Sequence, residues 1–248
     1  MAEMIEGKNP VLEALRAGRP VNKIMLAKGL KSDPAVSEIL DLARNKKIPV
    51  EYTERHILDH QSIKVNSRGI IAFTAAHDYA TLDELLEIPG KTGEPALFCL
   101  LDGIEDPVNL GAILRTAGAT GVHGIIVRSR RAAGLTPAVA RTSAGAIEYI
   151  PVARVANISQ AIETLKKNGI WVTGIEMTGE VDYASVDFTL ASAIVIGSEG
   201  KGLSPLVRKH CDTVARIPMK GNISSLNASV AAALVMHWVF RQRMDGNN

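Results

Sequence analysis

Apolar positions change their spacing repeatedly along the chain, and the changes predict the elements. Near the start, NPVLEALRAG (9–18) places its apolar residues at helical intervals, and KIMLAK (23–28) reads as a strand. DPAVSEILDLARNKK (33–47) is an amphipathic helix, while IPVEYT (48–53) and GIIAFTA (69–75) are strands. The block predicts a small α/β domain over 1–75. From residue 96 the strand-like runs are more uniformly apolar: ALFCLLDG, GIIVRS, YIPVAR, IWVTGIE, SAIVIG and TVARIP. Helical patterns lie between most of them: NLGAILRTAGATG, TPAVARTSAG, ISQAIETLKKNG and SPLVRKH, with SLNASVAAALVMHWVFRQR at the end. Near-continuous apolar strands alternating with helices predict a parallel sheet covered on both faces. Several helix starts pair a capping residue with proline, at Asn9-Pro10, Asp33-Pro34, Thr136-Pro137 and Ser204-Pro205.

Between the two blocks lies AHDYATLDELLEIPGKTGEP (76–95), with turn signals at Pro89-Gly90 and Gly93-Glu94-Pro95. It is expected to be a linker containing one short helical turn. Charge marks the same boundary: residues 1–75 carry +3, residues 76–95 carry −4, and residues 96–248 carry +3, giving the net +2. Two mildly basic blocks permit an RNA partner without demanding one. Cys99 and Cys211 lie far apart beside apolar runs and are expected to be reduced core thiols of a cytoplasmic protein. No run approaches the length of a membrane span, and MAEMIEGKNP is too polar for a signal peptide.

Three stretches offer chemistry. DPVNLGAILRTAGATG (106–121) follows a strand, so Asp106 and Asn109 fall at its carboxyl end, where open parallel sheets bind ligands. Arg115, six residues on, can grip a phosphate; the alternative is a solvated arginine with Asn109 capping the helix. IVIGSEGKGLSP (194–205) sets Gly197, Gly200 and Gly202 around Glu199, and a carboxylate among glycines has few structural duties. IPMKGNISSLNASVA (217–231) gathers Asn222, Ser224, Ser225 and Asn227 at a helix start. Ser224 or Ser225 suffices as the cap of a helix with Val230, Leu234 and Trp238 on its apolar face. The remaining polar residues suit hydrogen bonds to a small molecule. The cluster at Arg128–Arg131 reads as solvated surface. The six histidines show no metal-ligand spacing, and no P-loop or G-x-S-x-G elbow is present.

Taken together and in this order, Asn109…Arg115, Gly197-Ser-Glu199-Gly and IPM…SSLNASVA resemble the SpoU/TrmH family of RNA ribose 2'-O-methyltransferases, in the SPOUT superfamily. The one departure is Ala228, where the family often has valine. The resemblance covers 96–248 in detail and implies an α/β methyltransferase domain whose mostly parallel sheet carries a deep trefoil knot. It implies S-adenosylmethionine as cofactor, no metal, and a homodimer formed through that domain. The 1–75 block is similar to the family's L30e-like RNA-binding extension. That arrangement implies an RNA substrate, 23S rRNA guanosine first and tRNA as the alternative; a non-catalytic RNA-binding protein is the further rival. Cofactor contacts implied by the resemblance fall on Thr173, Gly174, Gly197, Ile217, Met219 and Leu226. Catalytic and substrate positions fall on Asn109, Arg115, Glu199, Ser225 and Asn227. Guanidinium resists deprotonation, so Arg115 is expected to fix a phosphate while Asn109, Ser225 and Asn227 orient the hydroxyl. Glu199 is then expected either to accept the proton or to anchor Arg115.

Overall fold

The computed structural model describes residues 2–31, 33–61, 68–75, 77–221 and 225–245. They form two compact units: residues 1–78 with 135–149, and residues 79–134 with 150–248.

The first unit runs β1 (Ala2–Glu6), α1 (Lys8–Arg16), β2 (Val21–Ala27), α2 (Pro34–Asn45), β3 (Val50–Thr53), α3 (Arg55–Gln61) and β4 (Ile70–Ala75). Its sheet has the order β1-β4-β2-β3, with β4 antiparallel to both neighbours and β2 parallel to β3. Ile24, Leu26, Ile70 and Ala72 pack against Val11 and Leu15 of α1 and Ile39 of α2. Asp33 caps α2 by accepting the Val36 N–H at 2.9 Å. Asn9-Pro10 lies inside α1, whose N-cap is Gly7 at φ 96°; helix φ/ψ values begin before the proline because its fixed φ suits a first turn.

The segment 135–149 follows the C-terminal block's early elements in sequence yet belongs to this first unit. Arg19 and Glu148 form an ion pair at 3.0 Å, with side chains only 7% and 4% exposed. The Tyr149 hydroxyl donates to Glu13 Oε2 at 2.7 Å, and a Cβ on Gly145 would collide with Glu13. A buried pair of this kind is costly to break from one side, which ties the segment to α1 and the residues after it.

The second unit starts with α4 (Leu82–Leu86) and α5 (Ile88–Thr92), in the stretch expected to be a linker. Thr81 and Glu84 form a reciprocal capping box, and Leu85 is fully buried, filling the space that Gly124 leaves by lacking a side chain. Then come β5 (Leu97–Asp102), α6 (Pro107–Thr120), β6 (Gly124–Arg128), α7 (Pro137–Thr142, in the first unit), β7 (Val152–Val155), α8 (Ile158–Lys167) and β8 (Trp171–Ile175). The chain ends with β9 (Val181–Asp182), β10 (Ser192–Gly197), α9 (Pro205–His210), β11 (Thr213–Arg216) and α10 (Ala228–Asp245). The seven strands lie in the order β7-β6-β5-β10-β8-β11-β9, and every pairing is parallel. Both faces are covered, which is why β5 and β10 are apolar without alternation. Register aligns Asp102 with Gly197 and Ile196 with Ile175, so β5, β10 and β8 end side by side.

Cys99 is buried in this sheet and Cys211 is half-buried; both are free thiols. Burial pushes Cys99 upward and Cys211 to about 12, so both stay protonated. Helix α10 corrects the expected apolar face: Ala228, Ala232, Val235, Met236 and Val239 are buried, whereas Val230 and Leu234 are 47% and 41% exposed. The helix is apolar on two sides, so periodicity alone could not choose the one that meets the sheet.

Candidate active site

Three side chains from three elements meet beyond the ends of β5 and β10. Asn109, in the first turn of α6, is buried and donates from Nδ2 to Glu199 Oε1 at 2.9 Å. Asn227, just before α10, donates from Nδ2 to the same Glu199 oxygen at 2.5 Å and to Asn109 Oδ1 at 3.0 Å. Its Oδ1 meanwhile accepts the N–H groups of Ser229 and Val230, at 2.9 and 3.3 Å. Helix capping therefore fixes which end of the Asn227 amide faces Glu199. The cap is Asn227, not a serine, and Asp106 rather than Asn109 caps α6, through Val108 N–H at 3.0 Å. Asn109 is thereby free for Glu199.

Glu199 rides on a turn closed by Ser198 N–H to Gly202 O at 3.1 Å and Gly202 N–H to Ser198 O at 2.9 Å. The turn doubles back so tightly that a Cβ on Gly197 would stand 2.2 Å from the Gly202 carbonyl carbon. Gly200 and Gly202 have φ of 76° and 65°, in the left-handed region. Glycine at 197 is thus required by the loop's own fold. Asp102, a buried carboxylate ending β5, accepts the Ser204 N–H at 2.8 Å and pins the far end of the loop.

Beside this loop lies a cavity of about 280 Å³. Ile196, Ile217 and Leu226 give it apolar walls, Gly197 to Gly202 give it main chain, and Glu176 and Glu199 give it carboxylates. Gly197, Glu199, Ile217, Met219, Ser225 and Leu226, expected from the sequence, line this one cavity. Thr173 and Gly174 do not: both are buried inside β8, where Gly174 faces Leu203 and Cys211. The cavity takes the next residues instead, from Ile175, the last of β8, to Thr178. Glu176 escaped the sequence reading, since IWVTGIEMTGE gives no sign of where β8 stops. Arg115 is exposed on α6, and among the described residues it has no hydrogen bond or ion pair; Glu199 is held by amides and not by Arg115. Asn222 and Ser224 lie outside the described residues.

The donor set suits S-adenosylmethionine. Its adenine needs apolar walls and main-chain partners, which the isoleucines, Leu226 and the glycine loop provide. Its sulfonium and ammonium outweigh its one carboxylate, and the cavity presents them with the amide-held carboxylate of Glu199. Among the described residues no group of His, Cys, Asp and Glu could hold a metal ion, and no helix is long and apolar enough to cross a membrane.

A parallel sheet with a glycine-built loop and amide-held carboxylate at its strand ends defines a class, and comparison with known proteins agrees. Residues 96–237 match the SpoU rRNA methylase family, and residues 4–80 match a domain described as RNA 2'-O ribose methyltransferase substrate binding. The chain belongs to the SpoU family and is an RNA methyltransferase that uses S-adenosylmethionine. It is 43% identical over 241 residues, 97% of this chain and 96% of the relative, to YacO of Bacillus subtilis, a protein assigned by name to the TrmH family of tRNA/rRNA methyltransferases. A Staphylococcus aureus protein with the same family name is 45% identical, over 98% of this chain and 97% of its own. Among solved structures, the SpoU methyltransferase AviRb from Streptomyces viridochromogenes, in complex with AdoMet, superposes with a TM-score of 0.82 at 28% identity, covering 99% of this chain and 92% of its own. An AdoMet-bound rRNA methyltransferase from Sinorhizobium meliloti gives 0.77 at 25% identity, over 97% and 87%.

Proposed function

We propose that the protein methylates the ribose 2'-hydroxyl of a guanosine in 23S rRNA, in the cytoplasm. The observation that carries the reading is Glu199 held by Asn109 and Asn227 at the rim of the cofactor cavity. S-adenosylmethionine supplies an already activated methyl group, so the protein has to align the hydroxyl and take its proton. Glu199 is the proton acceptor: amide donors fix its Oε1 without cancelling its charge, and its other oxygen remains for the hydroxyl. Both asparagines spend a donor on Glu199, so they position the carboxylate, while Ser225 on the cavity wall orients the substrate. Arg115, exposed and unpaired among the described residues, grips an RNA phosphate. The first unit binds the RNA, in line with the substrate-binding match over 4–80.

The placement of β10 between β5 and β8 and of β11 between β8 and β9 supports a knotted chain path. A homodimer is supported by an apolar groove of about 530 Å³ lined by Ala112, Thr116, Tyr183, Val230, Leu234 and Trp238. Among the described residues the Trp238 Nε1 there is buried without a hydrogen-bond partner, and a second copy of this surface would cover the groove.

Mapping 2'-O-methyl groups in rRNA and tRNA from cells with and without the protein tests the substrate. The expected result is loss of one guanosine mark in 23S rRNA. Loss of a tRNA mark with rRNA unchanged would replace this substrate with tRNA, which the names of the relatives also admit.

A further inference from the structure

Glu176 has no part in the chemistry above, yet it is built into the cofactor cavity. It follows β8 directly, its N–H is fixed to Ala215 O at 3.0 Å, and its side chain is 17% exposed. Oε2 accepts from Arg208 Nη1 of α9 at 3.0 Å. Oε1 has no hydrogen-bond partner among the described residues. It lies over Gly202, where a Cβ would come within 2.6 Å of it, so the loop leaves room for this oxygen by having no side chain there.

The partner decides what such a carboxylate attracts. A guanidinium at 3.0 Å cancels most of its charge, and the neutral pair exerts little pull on an ammonium or a sulfonium. The free oxygen nevertheless remains a strong acceptor for uncharged O–H donors. S-adenosylmethionine carries two such donors, its ribose hydroxyls. Dinucleotide sites solve the same problem with an acidic residue that accepts from a ribose hydroxyl. We propose that Glu176 accepts a hydrogen bond from the ribose hydroxyls of S-adenosylmethionine, with Arg208 as the positioning residue that turns Oε1 into the cavity. The inference rests on the cavity being the cofactor site and is independent of which RNA is methylated.

The test is calorimetric binding of S-adenosylhomocysteine and of its 2'-deoxy and 3'-deoxy analogues to the apoprotein. A hydrogen bond to a charged group is worth about 10- to 100-fold in affinity, so at least one deoxy analogue should bind the unmodified protein weaker by about that factor. Glu176→Gln should weaken S-adenosylhomocysteine and bring the ratio between parent and deoxy compound toward one. Arg208→Ala should lower the same ratio, and Arg208→Lys should restore most of it. Equal binding of all three compounds by the unmodified protein would overturn the proposal without any variant having to fold. An unchanged ratio in Glu176→Gln would overturn it too. Absence of any binding of S-adenosylhomocysteine would be a different failure, that of the cofactor site itself.

Discussion

Glu199, after β10, and Glu176, after the neighbouring β8, face one cavity, yet the two strand ends hold their carboxylates in opposite ways. At the β10 end two asparagine amides donate to Glu199. At the β8 end the guanidinium of Arg208 pairs with Glu176. Amides fix a carboxylate in place and leave its charge intact, whereas a guanidinium fixes it and neutralises it. Glu199 is therefore suited to a cation and a departing proton, and Glu176 to neutral hydroxyls. In this cavity the identity of the partner, more than the position of the carboxylate, assigns the work.

The strongest way to break the contrast is Glu199→Gln. A misplaced or absent general base typically costs about 10²- to 10⁴-fold, and that loss is expected in single-turnover methylation of the RNA substrate. Affinity for S-adenosylhomocysteine should change by less than about 5-fold. If the variant instead keeps its rate within about 5-fold, Glu199 only shapes the loop and the two carboxylates do not differ as argued.

Asn227→Ser gives the next largest effect and separates two duties of one side chain. Serine retains an oxygen that can cap α10, so thermal stability should fall by less than about 1 kcal/mol. It has no amide to reach Glu199, so the methylation rate should fall by about 10- to 100-fold. A drop in stability with the rate retained would mean that Asn227 is a cap alone. Asn227→Ala, lacking both functions, should show both losses, including the roughly 1 kcal/mol of a deleted cap.

Most of this arrangement was legible in the sequence, for identifiable reasons. The apolar runs that became β5, β6, β8 and β10 stand out because the sheet is covered on both sides. Glu199 stood out because it sits among glycines, and Asn109 and Asn227 because they sit at helix starts. Short elements were hidden. The two residues of β9 and the five residues of α5 have no periodicity to read, and α7 is too short to reveal that it belongs to the first unit. Glu176 was hidden by a different ambiguity: the apolar run of β8 does not show which residue is the last inside the sheet.

That ambiguity is what Gly174→Ala resolves, with the smallest expected effect on function. The resemblance placed Gly174 at the cofactor, while in the structure it lies one residue before the end of β8, facing Leu203 Cδ1 and Cys211 Sγ. An added Cβ would stand 2.7 Å from the leucine methyl and 3.0 Å from the sulfur. Both are ends of side chains that can shift, so overpacking of about 1–3 kcal/mol is expected in thermal or denaturant unfolding. Affinity for S-adenosylhomocysteine should stay within about 3-fold, because the cavity begins at Ile175. The reverse pattern, with stability intact and affinity reduced more than about 10-fold, would move the cofactor deeper along β8. It would then draw the ligand away from Glu176 and weaken the contrast between the two strand ends.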